Sequence, residues 1–139
     1  MITNLQGTFL SNFYEVNIEW HDRTYRNAEA IFQAMKSNDP SVHLKFTNLT
    51  GREAKALGKR IKMREEWNDI KLRVMKDILT KKFSNPALAL MLWHTGEQEI
   101  IEGNTWNDTY WGVSNGIGSN HLGKILMEIR SSYPLKARG

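Results

Sequence analysis

At 139 residues, with 40% apolar and 24% charged side chains, the chain is sized for one soluble globular domain, residues 1–139, around a single core. The absence of cysteine excludes a disulfide framework, a thiol nucleophile and thiolate metal sites such as zinc ribbons, and makes a reducing cytoplasm the expected setting. A net charge of +4 from 19 basic and 15 acidic residues favours an anionic ligand, a phosphate or a nucleic acid, without demanding one.

The N-terminus lacks the basic start and apolar run of a signal peptide, and no apolar stretch approaches membrane-spanning length. Val16, Ile18 and Trp20 alternate with Asn17 and Glu19, and His21-Asp22-Arg23 turns the chain toward Thr24-Tyr25, which predicts a short hairpin. Asn27 can cap a helix that should end near Asn38-Asp39-Pro40, because the residue before a proline avoids the helical region. A weaker helix is expected over 41–49. Thr50 can cap a third from Arg52 to about Lys59, with Ala54, Leu57 and Ala56 turned inward. The longest helix is expected over 64–83, where Trp67, Ile70, Val74 and Ile78 form a stripe widened by Met75, Leu79 and Phe83; so wide a stripe belongs to a helix packed on several neighbours. Pro86 opens a helix to Trp93. Residues 99–102 read as a short strand, and 103–119 as an irregular stretch of the kind that is usually functional. The last helix runs to Tyr133 from Asn120 or His121, with Leu122, Ile125, Leu126 and Ile129 at core spacing. The expected class is mainly α with a small β element, an α+β single domain.

On the first helix Glu29, Gln33 and Lys36 share a face, since at ~100° per residue Lys36 falls within about 20° of Glu29 and Gln33 within about 40°. A carboxylate, an amide and an amine projecting together suit acid–base chemistry on a small polar ligand. Spacing alone favours a solvated face with a helpful Glu-to-Lys relation. The stretch Trp106-Asn107-Asp108-Thr109-Tyr110-Trp111 gathers aromatic rings, amides and a carboxylate, the components of a pocket that stacks a planar base and hydrogen-bonds a sugar. Ser11-Asn12-Phe13 offers a smaller version of that mixture.

Other chemistries find less support. Residues 118–124 match the first seven positions of a P-loop, but Ile125 stands where a Mg²⁺-ligating hydroxyl is needed, leaving a loop entering a helix whose amides either hold an anion or serve turn geometry. The four histidines, His21, His43, His94 and His121, are dispersed without metal-ligand spacing, and no G-x-S-x-G elbow is present.

Leu10-Ser11-Asn12-Phe13, Ala28-Glu29-Ala30-Ile31-Phe32-Gln33-Ala34-Met35-Lys36, Trp67 opening a basic helix, Asn107-Asp108-Thr109-Tyr110-Trp111-Gly112, and Asn120-His121-Leu122-Gly123-Lys124 resemble, in order, the successive motifs of the NADAR (YbiA-like) family. The resemblance implies a YbiA-like fold and N-glycosidase activity, either on phosphoribosylamino-pyrimidine intermediates of riboflavin synthesis or on ADP-ribosyl-guanine in nucleic acid. It carries the functional roles of that family to Glu29, Lys36, Trp67 and Asp108. Ala30-Ile31 in place of a commoner His-Tyr, and Val113-Ser114-Asn115 in place of a Gly-rich run, bear on substrate preference.

Under that resemblance Glu29 or Asp108 stabilises the oxocarbenium-like sugar, and the other carboxylate, kept protonated, assists the departing base. Lys36 either binds ribose or phosphate as an ammonium or attacks the opened sugar at C1′ as an amine. Arg60, with Lys59, Lys62 and Arg64, becomes the 5′-phosphate clamp. Ser11, Asn12, Phe13, Gln33, Trp67, Tyr110 and Trp111 are the expected substrate contacts. No cofactor and no metal is expected, and the expected partner is the nucleotide-like substrate or ADP-ribosylated nucleic acid rather than a membrane. A module that binds ADP-ribose or a related nucleotide without turning it over is the competing reading.

Overall fold

A computed structural model describes residues 1–134, so the last five residues of the expected domain lie outside the description. Chain contacts divide it into two units, one of Ser11–Lys82 and one of Met1–Leu10 with the chain from Phe83 on.

The first of these begins with an antiparallel hairpin, β1 (Ile18–Trp20) and β2 (Arg23–Tyr25), in the register Ile18 to Tyr25 and Trp20 to Arg23. Its two loop residues, His21 and Asp22, have φ of 48° and 66°, the left-handed pair that lets a two-residue loop match strand twist. Alternation turns Ile18 and Tyr25 into the core. Helix α1 (Ala28–Ala34) follows, capped by Asn27, whose Oδ1 accepts from Ala30 N at 2.8 Å while its Nδ2 donates to Leu49 O at 3.0 Å. All seven of its residues are buried, which makes α1 the centre of this unit.

Asp39 caps α2 (Pro40–Leu44), which is about half the expected length because residues 45–48 form turns. Thr50 and Glu53 form a reciprocal capping box at the start of α3 (Gly51–Gly58), satisfying two backbone donors. Ala54 faces inward as expected, but Ala56 is exposed. Helix α4 (Trp67–Lys82) starts three residues later than its apolar pattern suggested. Arg64 is held in the preceding turn, where its backbone N–H donates to Lys36 O at 2.8 Å and its side chain pairs with Glu66. Both α3 and α4 pack on α1.

In the other unit Asn85 caps α5 (Pro86–His94), with Pro86 in the first turn, and α5 packs on α6 (His121–Ser131). The strand expected at 99–102 reduces to a single bridge between Ile2 and Ile100, and pairing resumes just beyond it as β3 (Gly103–Asn104) alongside β4 (Val113–Ser114), in parallel. Ile100, Leu122, Ile125 and Leu126 are among its buried apolar residues. The expected class, mainly helical with a small β component, is the one observed. No helix among the described residues is long and apolar enough to cross a membrane.

Candidate functional site

Helix α1 ends at Ala34, a turn earlier than proline placement suggested, and Met35 and Lys36 complete its last turn through a bond from Lys36 N to Gln33 O at 3.3 Å. Glu29 and Gln33 nevertheless meet as their spacing requires. Gln33 Nε2 donates to Glu29 Oε2 at 2.6 Å, and the two residues are 6% and 9% exposed. The face is therefore covered, not solvated as spacing alone favoured.

The cover comes from α3. A side chain at Gly58 would overlap Gln33 Oε1, so only glycine admits the Gln33 amide at that point. Gly58 O in turn accepts from Lys36 Nζ at 3.4 Å. Burial pushes the Lys36 ammonium below the ordinary lysine range, with the Glu29 carboxylate opposing the shift and Lys71 adding to it. A buried carboxylate, its buried amide partner and a half-buried lysine shifted toward the neutral amine thus lie along one face. Gln33 Oε1 has no hydrogen-bond partner there. Its orientation follows from electrostatics, since a flipped amide would set an oxygen against the carboxylate.

The Ser11-Asn12-Phe13 segment lies in the same unit as a tight turn. Ser11 Oγ accepts from Phe13 N at 3.0 Å and Ser11 O from Tyr14 N at 3.1 Å, so the polar atoms of Ser11 organise the turn. Asn12 O accepts the Glu29 backbone N–H at 3.0 Å, which ties the turn to the second residue of α1. Asn12 Oδ1 is buried without a partner, while its Nδ2 points at Met75 Sδ, 3.6 Å away. Phe13 is partly exposed, with its ring against Gly51. Trp67 is buried, 3% exposed, and its ring centroid lies 5.0 Å from that of Phe32. Arg60, Lys59 and Lys62 are exposed just beyond Gly58, whereas Arg64 is engaged by Glu66.

Asp108, Tyr110 and Trp111 belong to the other unit. Asp108 Oδ1 accepts from the backbone N–H groups of Tyr110 and Trp111 at 3.2 and 3.0 Å, an Asx-type turn that shapes the loop. Tyr110 packs edge-on against Trp111 at 4.8 Å between centroids and in a tilted arrangement against His121 at 4.5 Å. Trp106 is half exposed.

The backbone N–H groups of Ser119, Asn120, His121 and Leu122 donate to the carbonyls of Thr109, Gly112, Tyr110 and Trp111, so the start of α6 is filled by protein. The glycines of the P-loop-like stretch serve geometry: Gly118 has a φ of 154°, and a side chain at Gly123 would overlap Ile100 O. Among the described residues no group of three or more His, Asp or Glu side chains is arranged to hold a metal ion.

Gly58 and Lys82 escaped the sequence reading. Lys82 had a visible signal, because it follows Met75, Ile78 and Leu79 at helical spacing on the buried stripe.

The NADAR domain model matches residues 3–133. The chain is 34% identical over 128 residues to an N-glycosidase of Nostoc punctiforme, covering 86% of this chain and 81% of that protein. It is 31% identical over 131 residues to N-glycosidase YbiA of Escherichia coli K12, covering 91% and 81%. A riboflavin biosynthesis protein of Vibrio vulnificus is 34% identical over 127 residues, which span 88% of this chain and 34% of that longer protein. The solution structure of Escherichia coli YbiA superposes with a TM-score of 0.77 at 33% identity, over 88% of this chain and 75% of that one. With a family model spanning 3–133 and relatives alike in both sequence and fold, the chain belongs to the NADAR domain family.

Proposed function

We propose that this N-glycosidase hydrolyses the bond between a base nitrogen and C1′ of a phosphoribosyl group, with phosphoribosylamino-pyrimidines as its substrate class and Glu29 as its central carboxylate. The observation that carries the reading is the buried contact of Glu29 with Gln33 beside Lys36. The name of the Vibrio vulnificus relative supports the riboflavin-related substrate.

Breaking the C1′–N bond sends its electron pair to the base and leaves positive charge shared by C1′ and the ring oxygen. An ionised carboxylate near C1′ stabilises that charge more than it stabilises the neutral ground state, which is the condition for acceleration. Gln33 holds one oxygen of Glu29 in place, so the carboxylate need not reorganise as the charge develops. Water adds its oxygen to C1′, and its proton leaves with the base. Arg60, Lys59 and Lys62, exposed at the end of α3, supply the phosphate contacts, as charge-assisted bonds require.

The test is incubation with a phosphoribosylamino-pyrimidine and, separately, with ADP-ribosylated guanine DNA, followed by mass detection of free base. The expected result is base release from the pyrimidine by the wild type, reduced about 100-fold or more in Glu29→Gln, the scale of losing one electrostatic stabiliser. Release from the DNA alone would replace the substrate. Tight binding of ADP-ribose with no release from either would replace catalysis by binding.

A further inference from the structure

Lys82 is 1% exposed at the end of α4, although the preceding position, Lys81, is exposed and would solvate an ammonium at no cost. A buried ammonium costs several kcal/mol unless its surroundings compensate, and burial pushes this one down to about 7. Its Nζ donates to Ser11 O at 2.9 Å and lies 5.8 Å from the centre of the Tyr14 ring, within cation–π range. Ser11 O also closes the turn by accepting from Tyr14 N, and the next carbonyl, Asn12 O, takes the backbone N–H of Glu29. Glu29 is the second residue of α1, where an N–H has no carbonyl of its own helix to bond. One ammonium therefore fixes a turn, and that turn caps the backbone of the carboxylate residue.

We propose that Lys82 is a positioning residue for Glu29, acting through the Ser11–Asn12 backbone. The proposal rests on the role given to Glu29 above, yet its geometry stands apart from any substrate. A replacement of similar length without charge separates positioning from simple support of the fold. Methionine is of similar reach and carries no charge to desolvate, and Ser11 O keeps the Tyr14 N–H as a donor.

The experiment compares Lys82→Met with the wild-type chain by thermal unfolding, by amide hydrogen exchange at Glu29 relative to Phe32, and by kcat and KM for base release. Expected are an unfolding midpoint at or above wild type, at least tenfold faster exchange at Glu29 relative to Phe32, and a kcat lowered at least tenfold with KM within about threefold. Unchanged exchange at Glu29, or loss of stability with kcat intact, overturns the proposal. If Lys82→Met does not fold, Lys82→Gln is measured in its place; its shorter side chain should still speed Glu29 exchange and lower kcat at least threefold, and wild-type values for either overturn the proposal. Faster Glu29 exchange in a protein whose wild type releases no base would uphold the positioning and remove only the reaction proposed for Glu29.

Discussion

Gln33 and Gly58 fit together as side chain and vacancy: the Gln33 amide occupies the space that any side chain at 58 would need, and from there it reaches Glu29. The clash from a new methyl falls on the movable end of Gln33 rather than on backbone. Gly58→Ala should therefore cost about 1–2 kcal/mol of stability, in the lower range of overpacking penalties, while displacing the amide from Glu29. Base release should fall about tenfold, with Gln33→Ala giving a similar loss, and the double variant should lose little more than either single one. Strict additivity in that cycle, measured as kcat/KM, would show that the two act independently.

Of the two roles that the family resemblance leaves to Lys36, the amine role is a covalent route distinct from direct attack by water, and it is open to trapping. With burial moving it toward the neutral amine, its Nζ can attack C1′ of the ring-opened sugar, expel the base as an amine and leave an imine that water later hydrolyses. Borohydride added during turnover should trap a ribosyl adduct on the wild-type chain and none on Lys36→Ala. Trapping should rise with pH to a midpoint below that of a free lysine, as the lowered pKa requires. An adduct that persists in Lys36→Ala would assign the nitrogen elsewhere.

Asp108 holds two backbone N–H groups through one oxygen, and the family resemblance gives its carboxylate a chemical role besides. An asparagine can keep the first function and lacks the second. Asp108→Asn should unfold within about 0.5 kcal/mol of wild type, and Asp108→Ala should lose about 1–2 kcal/mol, as when a capping acceptor is removed. Base release should fall at least 100-fold in both. Near-normal turnover by Asp108→Asn, measured alongside denaturant unfolding, would reduce Asp108 to a loop-shaping role.

The buried Lys82 ties stability to pH. Folded, it gives up its proton near pH 7, against an ordinary lysine value of 10.5, so between these values the unfolded chain binds more protons and stability from this residue rises with pH. Below about 7 both states are protonated and the full cost of burying the ammonium remains. The limiting slope for one proton is about 1.4 kcal/mol per pH unit. Calorimetry at pH 6.5 and 9.5 should show the wild type gaining several degrees relative to Lys82→Met across that interval. A constant gap would mean that Lys82 stays charged or is solvated.

Local signals carried much of the fold. Asn27, Thr50 with Glu53, and Asn85 before Pro86 mark helix starts because a cap is written within four residues. Helix ends were harder: α1 stops at Ala34, and Lys36 O is taken by Arg64 N from 28 residues away. The strand misplaced at 99–102 failed for the same reason, since Val113 and Ser114 choose its partner positions. Within the site, helical spacing brought Glu29 and Gln33 onto one face, but what covers that face is Gly58, whose importance lies in lacking a side chain. Lys82 was hidden by its type, because lysines are rarely buried and pattern alone treats them as solvent-facing.

The four amides at 119–122 bonded to the four carbonyls at 109–112 have a consequence for how this region can vary. A surface loop ordinarily tolerates an added or deleted residue, but here one inserted position within 109–112 or within 119–122 would shift several of these bonds at once and leave part of the first turn of α6 unsatisfied. Length in this stretch is therefore constrained as tightly as in a strand pair, although most of it has no regular secondary structure.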